Sequence, residues 1–206
     1  RHCAMSTHSG LSAEEVADRA REARISGVDE VLIRTHSDAT VGDCSEYVRA
    51  IKDRVPSMHV GLVLPASVAT AIRASESLAR TVLTELRDAG LDHIGGATGF
   101  GGGTNALSVA HELGLRSTAT MIYGHGDNPS DWVRALGLVR EMFDRTEGFI
   151  DFVPLPFSHS GAPVPSVDAT KPAIRDSRAV HALSRVMLHG RISTIGTLSL
   201  IHISEP

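Results

Sequence analysis

Short apolar runs, each following a glycine, recur along the chain and alternate with amphipathic helical stretches. A glycine just past a helix end favours the left-handed conformation that stops the helix. Four glycines stand in this position: Gly27 before VDEVLIR, Gly90 before LDHIG, Gly114 before LRSTATMIYG and Gly148 before FIDFVPLPF. The runs are continuous and rich in β-branched residues, which is typical of covered parallel strands. MHVGLVLP predicts a further strand.

The helices between these strands have recognisable starts. Ser12 with Glu15, and Asp43 with Glu46, have the spacing of capping boxes. Asn128 precedes Pro129 and predicts a capped helix there. The first recognisable element is a helix, which predicts that a preceding strand is missing.

The spacing of the predicted strands defines the fold class. They start roughly 25 to 40 residues apart, near Val28, Met58, Leu91, Ser117, Phe149 and Ile192. This spacing is typical of consecutive βα units, which right-handed crossovers curl into a barrel or a doubly wound sheet. We expect an α/β fold in one domain, with 158–172 as a long loop over the site rather than a linker.

Composition excludes several classes of function. The 206 residues carry a net charge of −4 and 4% aromatic residues, so neither a nucleic-acid surface nor a basic membrane patch is indicated. No apolar run approaches the ~20 residues that span a bilayer. Two cysteines make a poor disulfide framework and favour a reduced, cytoplasmic setting.

Candidate chemistry lies where strands end, because parallel βα folds gather catalytic groups at the carboxyl ends of their strands. Tyr123 and His125, in MIYGHGDN, are the leading candidates, and the plain alternative is a loop histidine bonded to a carbonyl. GGATGFGGGTN matches neither a dinucleotide fingerprint nor a phosphate loop. His36, Asp38 and His159 also follow strands, but no zinc-type spacing joins them.

Three longer stretches carry a family resemblance: STATMIYGHGDNPSDWVRALGLVREMFDRTEGFIDFVPLPF, RDSRAVHALSRVMLHGRIS and EYVRAIKDRVPSMHV. They resemble radical S-adenosylmethionine (SAM) enzymes of deazaflavin and menaquinone biosynthesis, and most closely the tyrosine-using half of the FO synthase family. The resemblance implies a partial (β/α) TIM-like barrel of the radical SAM type that lacks the first strand and C-terminal elements. It places this incomplete domain at 1–197.

The resemblance also implies a cofactor set. The family holds a [4Fe-4S] cluster on a C-x3-C-x2-C loop, and RHCAM is similar to the end of that loop, which makes Cys3 the third cluster ligand. The other two cysteines would lie upstream, so the chain as written is expected not to assemble the cluster. LSLIHISEP is similar to a translated sequencing adapter, and 198–206 are therefore expected to be an artefact.

By resemblance, the enzyme is a transferase that uses SAM, tyrosine and 5-amino-6-ribitylaminouracil, together with the partner half of FO synthase. Tyr123 and His125 would then face the SAM and substrate cavity, and Pro154, Leu155, Pro156 and Phe157 would line its wall. Loops 34–40, 61–68 and 95–105 depart from the family pattern, which leaves the substrate open. Alternatives are a menaquinone-pathway enzyme of the futalosine cyclase type, a metal-dependent barrel hydrolase using His36, His125 or His159, and a non-catalytic binding paralogue.

Overall fold

The computed structural model describes residues 2–6, 10–97, 104–157 and 173–196, and the side chains of 10–96, 106–157 and 173–196 within them. The chain divides into two compact units, with the boundary after Thr118 in the fifth strand. The predicted loop at 158–172 and the predicted artefact at 198–206 lie outside the described residues.

The first unit contains four parallel strands in chain order. These are β1 (His2–Ser6), β2 (Glu30–Arg34), β3 (His59–Val63) and β4 (His93–Ala97). Five helices follow or connect them: α1 (Ala13–Ile25), α2 (Val41–Arg54), α3 (Ala66–Ala74), α4 (Glu76–Asp88) and α5 (Thr104–Glu112). Strand pairing sets Cys3 opposite Val31, Glu30 opposite His59, and Gly61 opposite His93.

Because a strand, β1, precedes α1, the prediction that the first element is a helix is wrong. Residues 2–6 are too few to display a hydrophobic period, so their strand state depends on parallel pairing with β2. The other predicted strands are confirmed where they were expected, with shifts of at most two residues at their starts.

Alternate residues of β2 and β3 face the helices and form the core of the first unit. Val31, Ile33, Val60 and Leu62 are fully buried. They belong to a cluster with apolar helix residues that include Val16, Ala20, Val48, Ile51, Leu83 and Leu86. Each fully buried leucine or isoleucine contributes about 1.5–3 kcal/mol. The other face of these strands carries Glu30, Leu32, His59 and Gly61, because side chains alternate along a strand.

The second unit comprises β5 (Arg116–Tyr123, from Ala119 onward), α6 (Pro129–Thr146), β6 (Phe149–Pro156), α7 (Ile174–Met187) and β7 (Thr194–Ile195). Its strands are ordered β5-β6-β7, and β6 runs parallel to β7 with Phe152 opposite Ile195. None of the helices in the described ranges combines the length and the apolar character that a membrane crossing needs.

The structure confirms most of the residues that were predicted to cap or end helices and corrects two of them. Ser12 with Glu15, and Asn128 with Asp131, form complete capping boxes. The box predicted for Asp43 and Glu46 is wrong: Thr40 is the N-cap of α2, and Asp43 is its reciprocal partner. At the end of α6, Glu147 rather than Gly148 adopts the left-handed conformation, with φ of 49°.

One partly buried histidine should make the stability of the protein pH-dependent. His111 Nε2 lies 2.8 Å from Ser117 Oγ. Burial, with a smaller contribution from Arg116, lowers the pKa of His111 from 6.5 to about 4. Between these values the unfolded chain binds more protons than the folded one, so this contribution is complete above pH 6.5 and is lost as the pH falls towards 4.

We therefore expect wild-type protein to lose about 1–2 kcal/mol more stability than His111→Gln between pH 7.5 and 4.5, after allowance for partial solvent screening. Urea unfolding at the two pH values measures the difference. Glutamine keeps a polar group near Ser117 but does not titrate. Parallel pH profiles for the two proteins would contradict the assignment.

Candidate functional site

The carboxyl ends of β5 and β6 lie side by side in the second unit. The amide of Phe157, just past β6, donates to the carbonyl of Tyr123, the last residue of β5, at 2.8 Å. The Tyr123 side chain is buried, and its hydroxyl donates to Ser177 Oγ on α7 at 3.0 Å. Two of the predicted stretches, MIYGHGDN and VPLPF, are thus neighbours, as parallel strands require.

Asp127 organises the turn that follows β5. Its Oδ1 accepts hydrogen bonds from the amides of Gly124 at 2.6 Å and His125 at 2.8 Å, and its Oδ2 accepts from Trp132 Nε1. Gly124 and Gly126 have φ of 87° and 99°, values that only glycine adopts readily. One carboxylate therefore ties the turn to the start of α6.

The environment of Asp127 keeps its carboxylate charged. Burial by itself would raise the pKa, because it disfavours the charged form. The hydrogen bonds from Trp132, His125 and Gly124 outweigh that effect, so the pKa of Asp127 lies below its usual value. The carboxylate is thus negatively charged at neutral pH and lies within hydrogen-bonding distance of the turn.

His125 sits on this turn as an accessible imidazole. Its Nδ1 lies 3.4 Å from Asp127 Oδ1, and half of its side chain is exposed to solvent. The His125 ring is tilted at 45° to the Phe157 ring, with the ring centres 6.0 Å apart. An imidazole held by a carboxylate on one side and open on the other can donate to, accept from or exchange a proton with a ligand.

A cavity of about 410 Å³ opens beside His125. Its lining consists of residues from β5, the turn and α6: Met121, Ile122, His125, Gly126, Asp127, Asp131, Trp132 and Ala135. Among the described residues predicted for the site, this lining includes only His125. Of the predicted wall, Pro154 is buried, whereas Leu155, Pro156 and Phe157 are half-buried along the end of β6.

In the first unit, hydrogen bonds connect two of the loops that depart from the family pattern, 34–40 and 61–68. Ser67, at the start of α3, donates through its amide to the carbonyl of Ser37 at 3.1 Å and through its hydroxyl to that of Ala39 at 2.6 Å. His36 Nδ1 lies 2.8 Å from Asp38 Oδ1, and this bond lowers the pKa of the exposed Asp38. The third of these loops, 95–105, is described only in part, and His159 lies outside the described residues.

The cysteines present do not fit an iron–sulfur cluster. A [4Fe-4S] cluster with one open iron needs three cysteine thiolates, and the chain contains two cysteines. Cys44 is fully buried at the start of α2, and burial raises the pKa of its thiol to about 11. Cys3 lies on β1 opposite Val31, and its side chain is outside the described part.

Asp127 and Trp132 shape this site, but neither was among the site residues that the sequence predicted. A signal was available: Asp127 lies two residues after His125 and one before the helix cap, a position where an aspartate can bond to preceding amides. Trp132 appears in the sequence only as an apolar helix residue. Its bond to Asp127 depends on the path of the turn.

Nearly the whole chain is similar in sequence to parts of longer enzymes. An FO synthase from Mycobacterium tuberculosis is 42% identical over 224 residues, which cover 96% of this chain and 26% of that protein. A 5-amino-6-(D-ribitylamino)uracil–L-tyrosine 4-hydroxyphenyl transferase from Methanopyrus kandleri is 32% identical over 197 residues, covering 85% and 53%. No family model matches the chain. The chain spans about a quarter of the length of the FO synthases that it matches.

Among solved structures, that of methylornithine synthase resembles the chain with a TM-score of 0.63 at 14% identity, covering 86% of this chain and 53% of the other. At this identity the likeness concerns the fold alone. It confirms the predicted class, an α/β fold of parallel strands in repeated βα units, as in part of a (β/α) barrel.

Proposed function

We propose that the chain forms part of an enzyme that transfers a tyrosine-derived fragment to 5-amino-6-ribitylaminouracil. The reason is its homology to the FO synthases over almost its whole length. The identity of 42% over 96% of the chain carries this proposal. The methanogen transferase supports it independently, since its name gives both substrates.

We assign the cavity-facing role to the turn after β5 and the end of β6. His125 is the residue in this region that offers an exposed polar ring, and Asp127 holds its orientation. Tyr123 is only 1% exposed and donates to Ser177, so its role is to hold the wall rather than to reach far into the cavity.

The residues from Pro154 to Phe157 form the proposed wall beside this turn. The bond from the Phe157 amide to the Tyr123 carbonyl supports their assignment, as does the contact between the rings of Phe157 and His125. Of these residues, Leu155 and Pro156 offer a half-buried apolar surface, and the proline rings limit its flexibility. Such a wall suits an aromatic substrate, because it excludes water without offering competing hydrogen bonds.

For the cofactors, we propose SAM as the ligand of this cavity. Cys3 as one ligand of a [4Fe-4S] cluster remains a prediction, and the two cysteines of the chain do not complete the set. No observation favours the menaquinone-pathway alternative, and in the described residues neither His36 nor His125 belongs to a group able to hold a metal, as the hydrolase alternative would need.

A segment exchange tests the proposal. Residues 10–196 would replace the aligned segment of the M. tuberculosis FO synthase, and formation of FO from tyrosine and 5-amino-6-ribitylaminouracil would be followed by mass spectrometry. We expect activity, and we expect His125→Ala to lower it about 10–100-fold, the scale of one hydrogen bond to a charged group. His36→Ala, a matched change of an exposed histidine, should leave it unchanged.

A chimera that melts like the parent enzyme but makes no FO would argue against the assignment. Equal activities for the His125→Ala and His36→Ala chimeras would show that His125 is not part of the site. They would not contradict the proposed transferase function.

A further inference from the structure

Three neighbouring strands of the first unit begin with a residue able to bind a metal. Glu30, His59 and His93 are the first residues of β2, β3 and β4. Glu30 is paired with His59, and His93 is paired with Gly61, two residues further along the same strand as His59. Because side chains two apart share a face, all three lie on the face away from the helix-packed core.

Their potential ligand atoms already converge. One nitrogen from each histidine and one carboxylate oxygen all lie within 4.8 Å of one another. The distance from His93 Nε2 to Glu30 Oε1 is 3.6 Å, close to the roughly 3.3 Å between neighbouring ligands around a tetrahedral zinc ion with bonds of about 2.0–2.1 Å. The imidazole rings of His59 and His93 stack with their centres 5.4 Å apart and their planes 15° apart.

The group combines a buried anchor with accessible partners. The side chain of His93 is 3% exposed, that of Glu30 is 21% exposed and that of His59 is 46% exposed. Gly61 leaves the space that the His93 ring occupies, since a Cβ there would lie 2.1 Å from His93 Cε1. Rotation of Glu30 and His59 can therefore close the ligand set around an ion that enters from solvent.

The carboxylate of Asp92 lies close to His59 and can orient its imidazole ring. Asp92 Oδ1 lies 3.8 Å from His59 Nδ1. Asp92 Oδ2 accepts from Lys52 Nζ at 2.6 Å and from the amide of Val60 at 2.7 Å, so the carboxylate is fixed in place. Metal-binding histidines commonly direct their second ring nitrogen at such a carboxylate, which sets the tautomer and orientation of the ring.

We propose that Glu30, His59 and His93 form a binding site for a divalent transition-metal ion of the zinc class, with water as the fourth ligand. Two imidazoles and one carboxylate are a ligand set that zinc accepts. The site lies at the amino ends of the strands, whereas catalytic groups of parallel βα folds gather at the carboxyl ends. Its role is therefore structural: the ion ties β2, β3 and β4 together.

Metal retention by the purified 206-residue chain tests this site without any substrate of the proposed reaction. Protein stripped with EDTA would be loaded with Zn²⁺, dialysed and analysed for metal content, and affinity would be measured by competition with a chromogenic chelator. We expect one strongly bound ion. His59→Ala and Glu30→Gln should each weaken binding at least about tenfold, because even loss of an outer-shell partner costs about 10–100-fold.

His36→Ala provides the matched control, since it removes another partly exposed histidine that lies two residues after β2. It should bind Zn²⁺ as the wild type does. Both test positions are partly exposed, so circular dichroism is expected to show folded variants. Cobalt(II) should give the visible absorption of a four-coordinate site in wild type and lose it in His59→Ala. Absence of retained metal, or equal affinities for wild type and both site variants, would overturn the proposal.

Discussion

Asp127→Ala should destabilise the protein by about 2–4 kcal/mol. The substitution removes a charged acceptor of three hydrogen bonds, from the amides of Gly124 and His125 and from Trp132 Nε1. Bonds to charged groups contribute about 1.5–3 kcal/mol each, but part of this returns when the freed amides of the turn meet water. Trp132 is 7% exposed, so its indole N–H regains less. Urea unfolding monitored by the fluorescence of this single tryptophan measures the loss.

Two further variants separate the contributions at this turn. Asp127→Asn keeps an oxygen for the two amides, so an intermediate loss is expected. Asp131→Ala is the matched control, because Asp131 also accepts a backbone amide, that of Asn128, but it lies in an exposed capping box. Its loss should be about 1 kcal/mol. A loss for Asp127→Ala no larger than that of the control would show that the turn does not depend on Asp127.

Gly61→Ala should have the second large effect, a destabilisation of about 2–3 kcal/mol with loss of metal retention. An added Cβ would lie 2.1, 2.4 and 2.9 Å from three atoms of the His93 ring. That ring is buried and stacked on His59, so it cannot move away without losing packing. Inserting a methyl group into a filled site costs about 1–3 kcal/mol. Chemical denaturation and zinc analysis of the same preparation give both readouts.

Gly137→Ala is the control for this change. Gly137 lies within α6, and no atom stands within 4 Å of an added Cβ. Alanine there should stabilise the protein by about 0.5–1 kcal/mol, because it lowers the conformational entropy of the unfolded chain. A Gly61→Ala protein as stable as wild type would mean that the His93 ring is not held where it lies.

The regular elements of this protein were largely predictable from local patterns. Apolar runs after glycine indicated β2, β4, β5 and β6, and the run MHVGLVLP indicated β3. Side-chain oxygens before amphipathic stretches indicated the starts of α1 and α6. The wrong predictions also arose from local patterns in the sequence. Thr40 and Asp43 form the box that was placed at Asp43 and Glu46, since both pairs have the required spacing. Only the path of the chain before α2 decides between them.

The two candidate sites also differ in whether the sequence could predict them. His125 was predictable because a polar residue after a parallel strand lies at the functional edge of the sheet. The group of Glu30, His59 and His93 was not, because its members are far apart in the sequence and only strand register brings them together. A histidine or glutamate at the start of three successive strands was the available signal.

The parallel fold class and the order of strands β2 to β7 thus followed from the sequence alone, because they depend on short-range apolar patterns and glycine positions. The likeness to a known group of enzymes rests instead on three longer stretches of the sequence. The tertiary structure alone decided the strand state of 2–6, the bonds of Asp127 and the convergence of three potential metal ligands. These features depend on which residues lie opposite one another across hydrogen-bonded strands and turns. A shift of one residue in that register would send each side chain to the other face of the sheet.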